Sequence, residues 1–112
     1  MRDTTFAEGQ KRQQNRQAEA WQLRDGKLES LWQYSSADLP RQWQGQGSHN
    51  TRTGDIDGDG RDEIVLGSAA LDDDGSPLWT TGKGHPDFLY LTEVTPGRLG
   101  VVAVLETAQR QN

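Results

Sequence analysis

The sequence predicts an all-β chain of short antiparallel strands, and three features predict it. Turn-forming pairs recur between short apolar runs, at Asp25-Gly26, Asp74-Gly75 and Pro96-Gly97. The chain carries 13 glycines and four tryptophans, a balance that suits turn-rich sheets in which aromatic rings do much of the packing. Hydrophobic residues make up only 31% of the 112 residues, too few for a large continuous core.

Taken in order, residues 1–19 are polar and rich in Gln and Arg, and are expected to be disordered. The folded part is expected over residues 20–112. "AEAWQLRDGKLESLWQY" reads as two strands around Asp25-Gly26, a dipeptide that tolerates positive φ and so suits a tight hairpin. "LPRQWQGQGSHN", punctuated by Pro and Gly, reads as a connector. "HNTRT" and "EIVLGSA" flank an acidic loop as strands, the second rich in β-branched residues. "ALDDDGSPLWTTG" is another strand pair around Asp74-Gly75. "DFLYLTEV" and "GVVAVLE" supply two more strands, joined at Pro96-Gly97.

The two Asp-Gly hairpins resemble each other: "LRDGKLESLW" against "LDDDGSPLW". Their turn glycines, Gly26 and Gly75, are separated by about the 40–50 residues of a propeller repeat. The chain therefore divides into the outer half of one four-stranded unit, a full unit from about His49 to Trp79, and the inner half of a third. That division predicts a fragment of a β-propeller, about one full blade plus two half-blades. The alternative is a small β-sheet assembly or two-sheet sandwich that folds alone. Repeat units bury their faces only against neighbours, so the remaining blades are expected partners.

Composition excludes several classes. Without cysteine there is neither a disulfide framework nor a thiolate metal site. A net charge of −5 argues against a nucleic-acid binder. No run is long and apolar enough for a membrane-spanning helix, and the first twenty residues lack the apolar centre of a signal peptide.

The acidic loop "DIDGDGRDE" carries the chemistry. Counting Asp55 as position one, carboxylates stand at one, three and five as Asp55, Asp57 and Asp59. Gly60 is sixth, Arg61 seventh and Glu63 ninth. Alternate residues of a tightly wound loop converge on one point, and three converging carboxylates repel one another unless a hard cation sits among them. Calcium takes six to eight oxygens and fits better than magnesium, which demands a strict octahedron. Arg61 is expected to offer its backbone carbonyl, with its side chain in solvent. An EF-hand is excluded, because its twelfth position requires a bidentate Glu before a helix, and Leu66 stands there in a strand. The second acidic cluster, Asp72, Asp73 and Asp74, is expected to be a solvated hairpin tip, since consecutive side chains of an extended chain alternate sides.

Three motifs together resemble the propeller of the rhamnogalacturonan lyases of polysaccharide lyase family eleven. They are the "GQGSHN" lead-in (Gly45 to Asn50), the acidic loop (Asp55 to Glu63), and the Gly-His-x-Asp turn "GHPD" (Gly84 to Asp87). The likeness extends over roughly Ala20 to Glu106. The loop alone is unspecific, since integrin-like propeller repeats share it. A non-catalytic, calcium-binding repeat with a structural or adhesive role is therefore the alternative, and a small intact calcium-binding domain a third reading. This chain departs from the family at Pro86, where Gly is usual, and at Thr95, where a further acidic loop would place a carboxylate.

The resemblance implies a large secreted enzyme with several bound calcium ions, acting on the rhamnogalacturonan backbone of pectin by β-elimination. It implies no catalytic residue in this chain, whose parent would hold the main basic groups in other blades, so the fragment alone is expected to be inactive. His49, His85 and Asp87 are candidates to lie near substrate or metal. Arg52, Lys83 and Arg98 read as solvated charges. Calcium use and the family's secreted habit point to an extracellular parent.

Overall fold

The computed structural model describes residues 15–106. They form eight strands in three antiparallel sheets, each strand pairing with its chain neighbour. Strands β1 (Gln17–Arg24) and β2 (Lys27–Ser35) make a hairpin. Strands β3 (Gly47–Gly54), β4 (Glu63–Gly67), β5 (Ala69–Leu71) and β6 (Pro77–Thr80) make a four-stranded sheet in that order. Strands β7 (Phe88–Thr95) and β8 (Arg98–Val104) make a second hairpin. The fold is all-β as expected, and its two-, four- and two-stranded sheets follow the expected half, whole and half units.

The first turn forms as its sequence requires. Asp25 and Gly26 have φ of 53° and 78°, and this pair of left-handed residues twists the chain back so that Leu23 faces Leu28. Strand β1 nevertheless begins at Gln17, three residues before the expected boundary at Ala20. The polar residues join because a ladder is made by backbone. Gln17 pairs with Ser35, the Arg16 N–H donates to Ser36 Oγ at 2.8 Å, and the Ser36 N–H returns to the Arg16 carbonyl at 2.9 Å. Residues 1–14 of the segment expected to be disordered lie outside the described residues. The connector also differs from expectation: it holds a 3₁₀ turn at Arg41–Trp43, and β3 starts at Gly47 rather than His49.

Strand β4 is the centre of the molecule because both its faces are covered. Ile64 and Leu66, with Leu71 of β5, pack against Trp32 and Tyr34 of the first hairpin. Val65, with Ala70, packs against Leu89, Leu91 and Val101 of the second. This is the period-two rule applied to a strand between two neighbours, and it explains why "EIVLG" is apolar without alternation. Each fully buried aliphatic side chain contributes about 1.5–3 kcal/mol. The outward faces of the two hairpins are barer. Trp21, Leu28 and Leu31 on one, and Phe88, Tyr90 and Val102 on the other, are half or more exposed in most cases.

The β5–β6 turn is tied to the first hairpin across this core. Trp32 Nε1 donates to the Asp73 carbonyl at 3.1 Å, and the indole lies over Gly75. The acidic tip of the turn is thereby held at the mouth of the Asp55–Glu63 loop.

Candidate metal centre and histidine cluster

The loop between β3 and β4 winds around its own carboxylates. Asp55 Oδ1 accepts the N–H groups of Gly58 (2.9 Å) and Asp59 (3.0 Å), and Asp55 Oδ2 accepts that of Gly60 (2.8 Å). Asp57 Oδ1 accepts from the Asp59 N–H at 3.1 Å, and Asp59 Oδ1 from the Arg61 N–H at 2.8 Å. Gly58 and Gly60, with φ of 79° and 88°, provide the left-handed steps that this winding needs. As a result one ligand oxygen each from Asp55, Asp57, Asp59 and Glu63 lies within 4.8 Å of the others. The spacing of positions one, three, five and nine converges as the sequence predicts.

Glu63 is the buried member of the set, with no solvent exposure. Its Oε1 accepts from the N–H groups of Ile56 (2.8 Å) and Asp57 (3.2 Å), while its Oε2 is buried without a partner among the described residues. Burial pushes the Glu63 carboxyl above the usual carboxylate range, and the charges of Asp57 and Asp59 add to that; the two backbone N–H groups oppose it. Desolvation likewise raises Asp57. Asp55 is held below the usual range, chiefly by the Gly60 N–H. A buried carboxylate oxygen with no donor to accept from is costly, and a cation beside the cluster would relieve it. The donor set is all hard oxygen, so the residues fit calcium.

The Arg61 side chain stays largely in solvent as expected, 74% exposed, and its Nη1 reaches Asp73 Oδ2 at 3.2 Å. One expectation about the neighbouring residues is corrected: the Asp72–Asp74 tip is not wholly solvated. Asp74 stays exposed and binds Ser76, but oxygens of Asp72 and Asp73 lie within 4.8 Å of those of Asp59 and Glu63. The reason is register. Ile64 faces Leu71 and Val65 faces Ala70, so continuing the antiparallel pairing brings Asp72 opposite Glu63. Strand-length counting from Glu63 back to Asp72 was the signal that could have found this.

A second cluster forms where β3 begins. The Nδ1–H of His85 donates to the Gly47 carbonyl, which can only accept, so a proton belongs on Nδ1. The His85 Nε2 lies 3.3 Å from Nε2 of His49, the rings being edge to face at 4.7 Å. Oxygens and nitrogens of His49, His85 and Asp87 come within 4.8 Å of one another. Both histidines are exposed and Asp87 is half-buried. The segment holding His85 is anchored on both sides: the Gly84 N–H donates to Gln46 Oε1 at 2.9 Å, Ser68 Oγ donates to the Gly84 carbonyl at 2.7 Å, and Pro86 is fully buried. A pair of imidazoles with a carboxylate, one ring oriented by a backbone carbonyl, can ligate a metal or contact an anionic sugar. Arg52, Lys83 and Arg98 are all exposed.

Comparison with known proteins places the chain in a family. Residues 9–112 match the family described as rhamnogalacturonan lyase family 11, C-terminal domain. The chain is similar to the rhamnogalacturonan endolyase YesW of Bacillus subtilis (strain 168), 46% identical over 83 residues, which are 73% of this chain and 13% of that protein. It is 39% identical, again over 83 residues and 73% of this chain, to the rhamnogalacturonan exolyase YesX of the same strain, of which it covers 14%. Among solved structures it superposes on a Bacillus licheniformis rhamnogalacturonan lyase PL11 with a TM-score of 0.75 at 39% identity, covering 83% of this chain and 16% of that one. The chain thus spans about a seventh of the length of the curated relatives it matches.

Proposed function

The chain belongs to the rhamnogalacturonan lyase family 11 C-terminal domain, and from that premise we propose that it is a propeller segment of an extracellular lyase that cleaves rhamnogalacturonan by β-elimination. The observation that carries the reading to a site is the meeting of His49 and His85, with Asp87 beside them. Two of the three motifs that resemble the family, distant in sequence, converge in that one cluster. β-Elimination removes the C5 proton of a galacturonate residue, breaks the bond from C4 to the glycosidic oxygen, and leaves a C4–C5 double bond. The step needs the carboxylate neutralised and a base for the proton.

In this reading Asp55, Asp57, Asp59, Glu63 and the Arg61 carbonyl hold calcium. Bound there, the ion supplies charge neutralisation that keeps the β3–β4 loop wound. The loop's role is structural. His49, His85 and Asp87 lie toward the substrate and orient or neutralise the uronate, while the groups that take the proton belong to other blades. The exposed apolar residues of β1–β2 and β7–β8 are where those blades pack. Calcium sites of about 10⁻⁴–10⁻³ M affinity suit an extracellular setting.

The test is to substitute His85→Ala and Asp87→Asn in the full-length parent and to follow unsaturated uronate released from rhamnogalacturonan by its ultraviolet absorbance. Loss of product with retained folding supports the reading. A parent that forms no unsaturated product, or variants that turn over substrate as fast as the parent, would reject it.

A further inference from the structure

The geometry points to Gln46 and Ser68 as positioning residues for turnover, two buried side chains that fix His85 by gripping the backbone of Gly84 before it. The inference rests on the reading of His49, His85 and Asp87 as lying toward the uronate, and deepens it.

Buried polar side chains need partners, and these two find theirs on one residue. Gln46 is 5% and Ser68 3% exposed. They come from different parts of the chain, Gln46 just before β3 and Ser68 at the corner between β4 and β5. Both reach Gly84, in the connection between β6 and β7. Gln46 Oε1 accepts its N–H at 2.9 Å, and Ser68 Oγ donates to its carbonyl at 2.7 Å. The Ser68 N–H in turn donates to the Gln46 carbonyl at 2.8 Å, which closes a circuit of three hydrogen bonds. The circuit is braced from outside. Gln46 Nε2 donates to the Gln44 carbonyl at 2.7 Å, and the Ser68 carbonyl accepts from the Thr81 N–H at 2.8 Å.

What the circuit fixes is the residue beside it. His85 follows Gly84, Gly47 follows Gln46, and the His85 Nδ1–H donates to the Gly47 carbonyl. Gln46 and Gly47 together thus hold the backbone of Gly84 and the imidazole of His85. The segment brings little of its own to this end. Gly82 and Gly84, with φ of 69° and 96°, have no side chain to pack, and Lys83 is exposed. Pro86 is buried, but secures only the far side of His85. An apolar pair in place of Gln46 and Ser68 would leave both backbone polar groups of Gly84 unpaired. Misplacing a contact at the reacting centre by about 1 Å can cost about 10²-fold in rate, so a loosened Gly84 acts on turnover through the orientation of the imidazole.

The experiment uses the full-length parent with Ser68→Ala, which removes one oxygen, Gln46→Met, which removes the acceptor at similar length, and His85→Ala. Unsaturated uronate gives kcat and KM, and amide exchange read by mass spectrometry reports where the chain loosens. Ser68→Ala and Gln46→Met should each lower kcat at least about tenfold while KM changes less than about threefold. Exchange should speed up over residues 82–87 and stay as in the parent over β4. If Ser68→Ala turns over as the parent does while His85→Ala is slowed, the positioning role is refuted and the reading of the cluster stands. If Ser68→Ala is slowed but exchange accelerates equally in every strand, its role is in the fold alone, which also refutes the inference. If His85→Ala turns over as the parent does, the reading of the cluster fails, and the positioning role with it.

Discussion

The indole of Trp32 lies so close to Gly75 that a β-carbon on that glycine would fall 2.4 Å from the ring. Gly75 also has φ of 87°, where a side chain is strained. Gly75→Ala is expected to cost about 2–5 kcal/mol, the sum of overpacking and left-handed strain. Urea unfolding in calcium measures it, and an unchanged midpoint would show that the turn is not held by the first hairpin.

Glu63 should respond oppositely in two conditions. Glu63→Gln keeps the shape of the side chain and removes a buried charge. Calcium affinity is expected to fall at least about tenfold with the loss of a charged ligand. In EDTA the variant is expected to melt at the same temperature as the parent or higher, since an unpaired buried carboxylate is destabilising. A calcium affinity equal to the parent's would remove Glu63 from the site.

The histidine cluster should be separable from folding. His49 and His85 are exposed, so His49→Ala is expected to shift the melting temperature of this chain by little, as surface changes within about 0.5 kcal/mol do. In the parent the same substitution is expected to slow product formation by at least about tenfold. Equal rates for parent and variant would leave the cluster without a role in turnover.

Tyr34 gives a pH dependence of definite sign. It is 6% exposed in the core beside Leu66 and Leu71, and burial raises its phenol above the ordinary 10. The folded state thus prefers the neutral phenol. Its stabilising contribution is complete below the unfolded pKa and is lost as pH rises through the higher folded value. Tyr34→Phe is expected to lose less stability than the parent between neutrality and pH above 10, read from urea midpoints. Parallel decline in both would show that the phenol does not control alkaline stability.

Leu89 tests how the second hairpin is attached. It is fully buried against Val65 and Ala70. Leu89→Ala is expected to cost about 2–5 kcal/mol and to speed amide exchange in β7 and β8 ahead of β4. Uniform acceleration across all strands would mean that the three sheets open as one unit.

The parts of the site legible in sequence share a physical property: they depend on residues close along the chain. The winding of Asp55, Asp57 and Asp59 follows from alternate spacing and two glycines, and the Asp25-Gly26 hairpin from backbone conformations those residues tolerate. The Arg61 side chain lies in solvent as expected, but its contact with Asp73 was not legible, because that residue lies twelve positions on, beyond a strand pair. Glu63 could be placed in the loop, but not its bare Oε2, which results from burial by elements on both sides of β4.

Sequence by itself determined the strand and turn order of this chain, the convergence of the carboxylates of one loop and the family it resembles. Local conformational preference and period-two patterning act over a few residues, and those features need nothing more. Tertiary structure alone decided that His85 faces His49 and that Trp32 anchors Asp73. Each of these contacts joins residues of elements that do not pair with one another, and packing follows from the summed burial of the chain rather than from any one stretch of it.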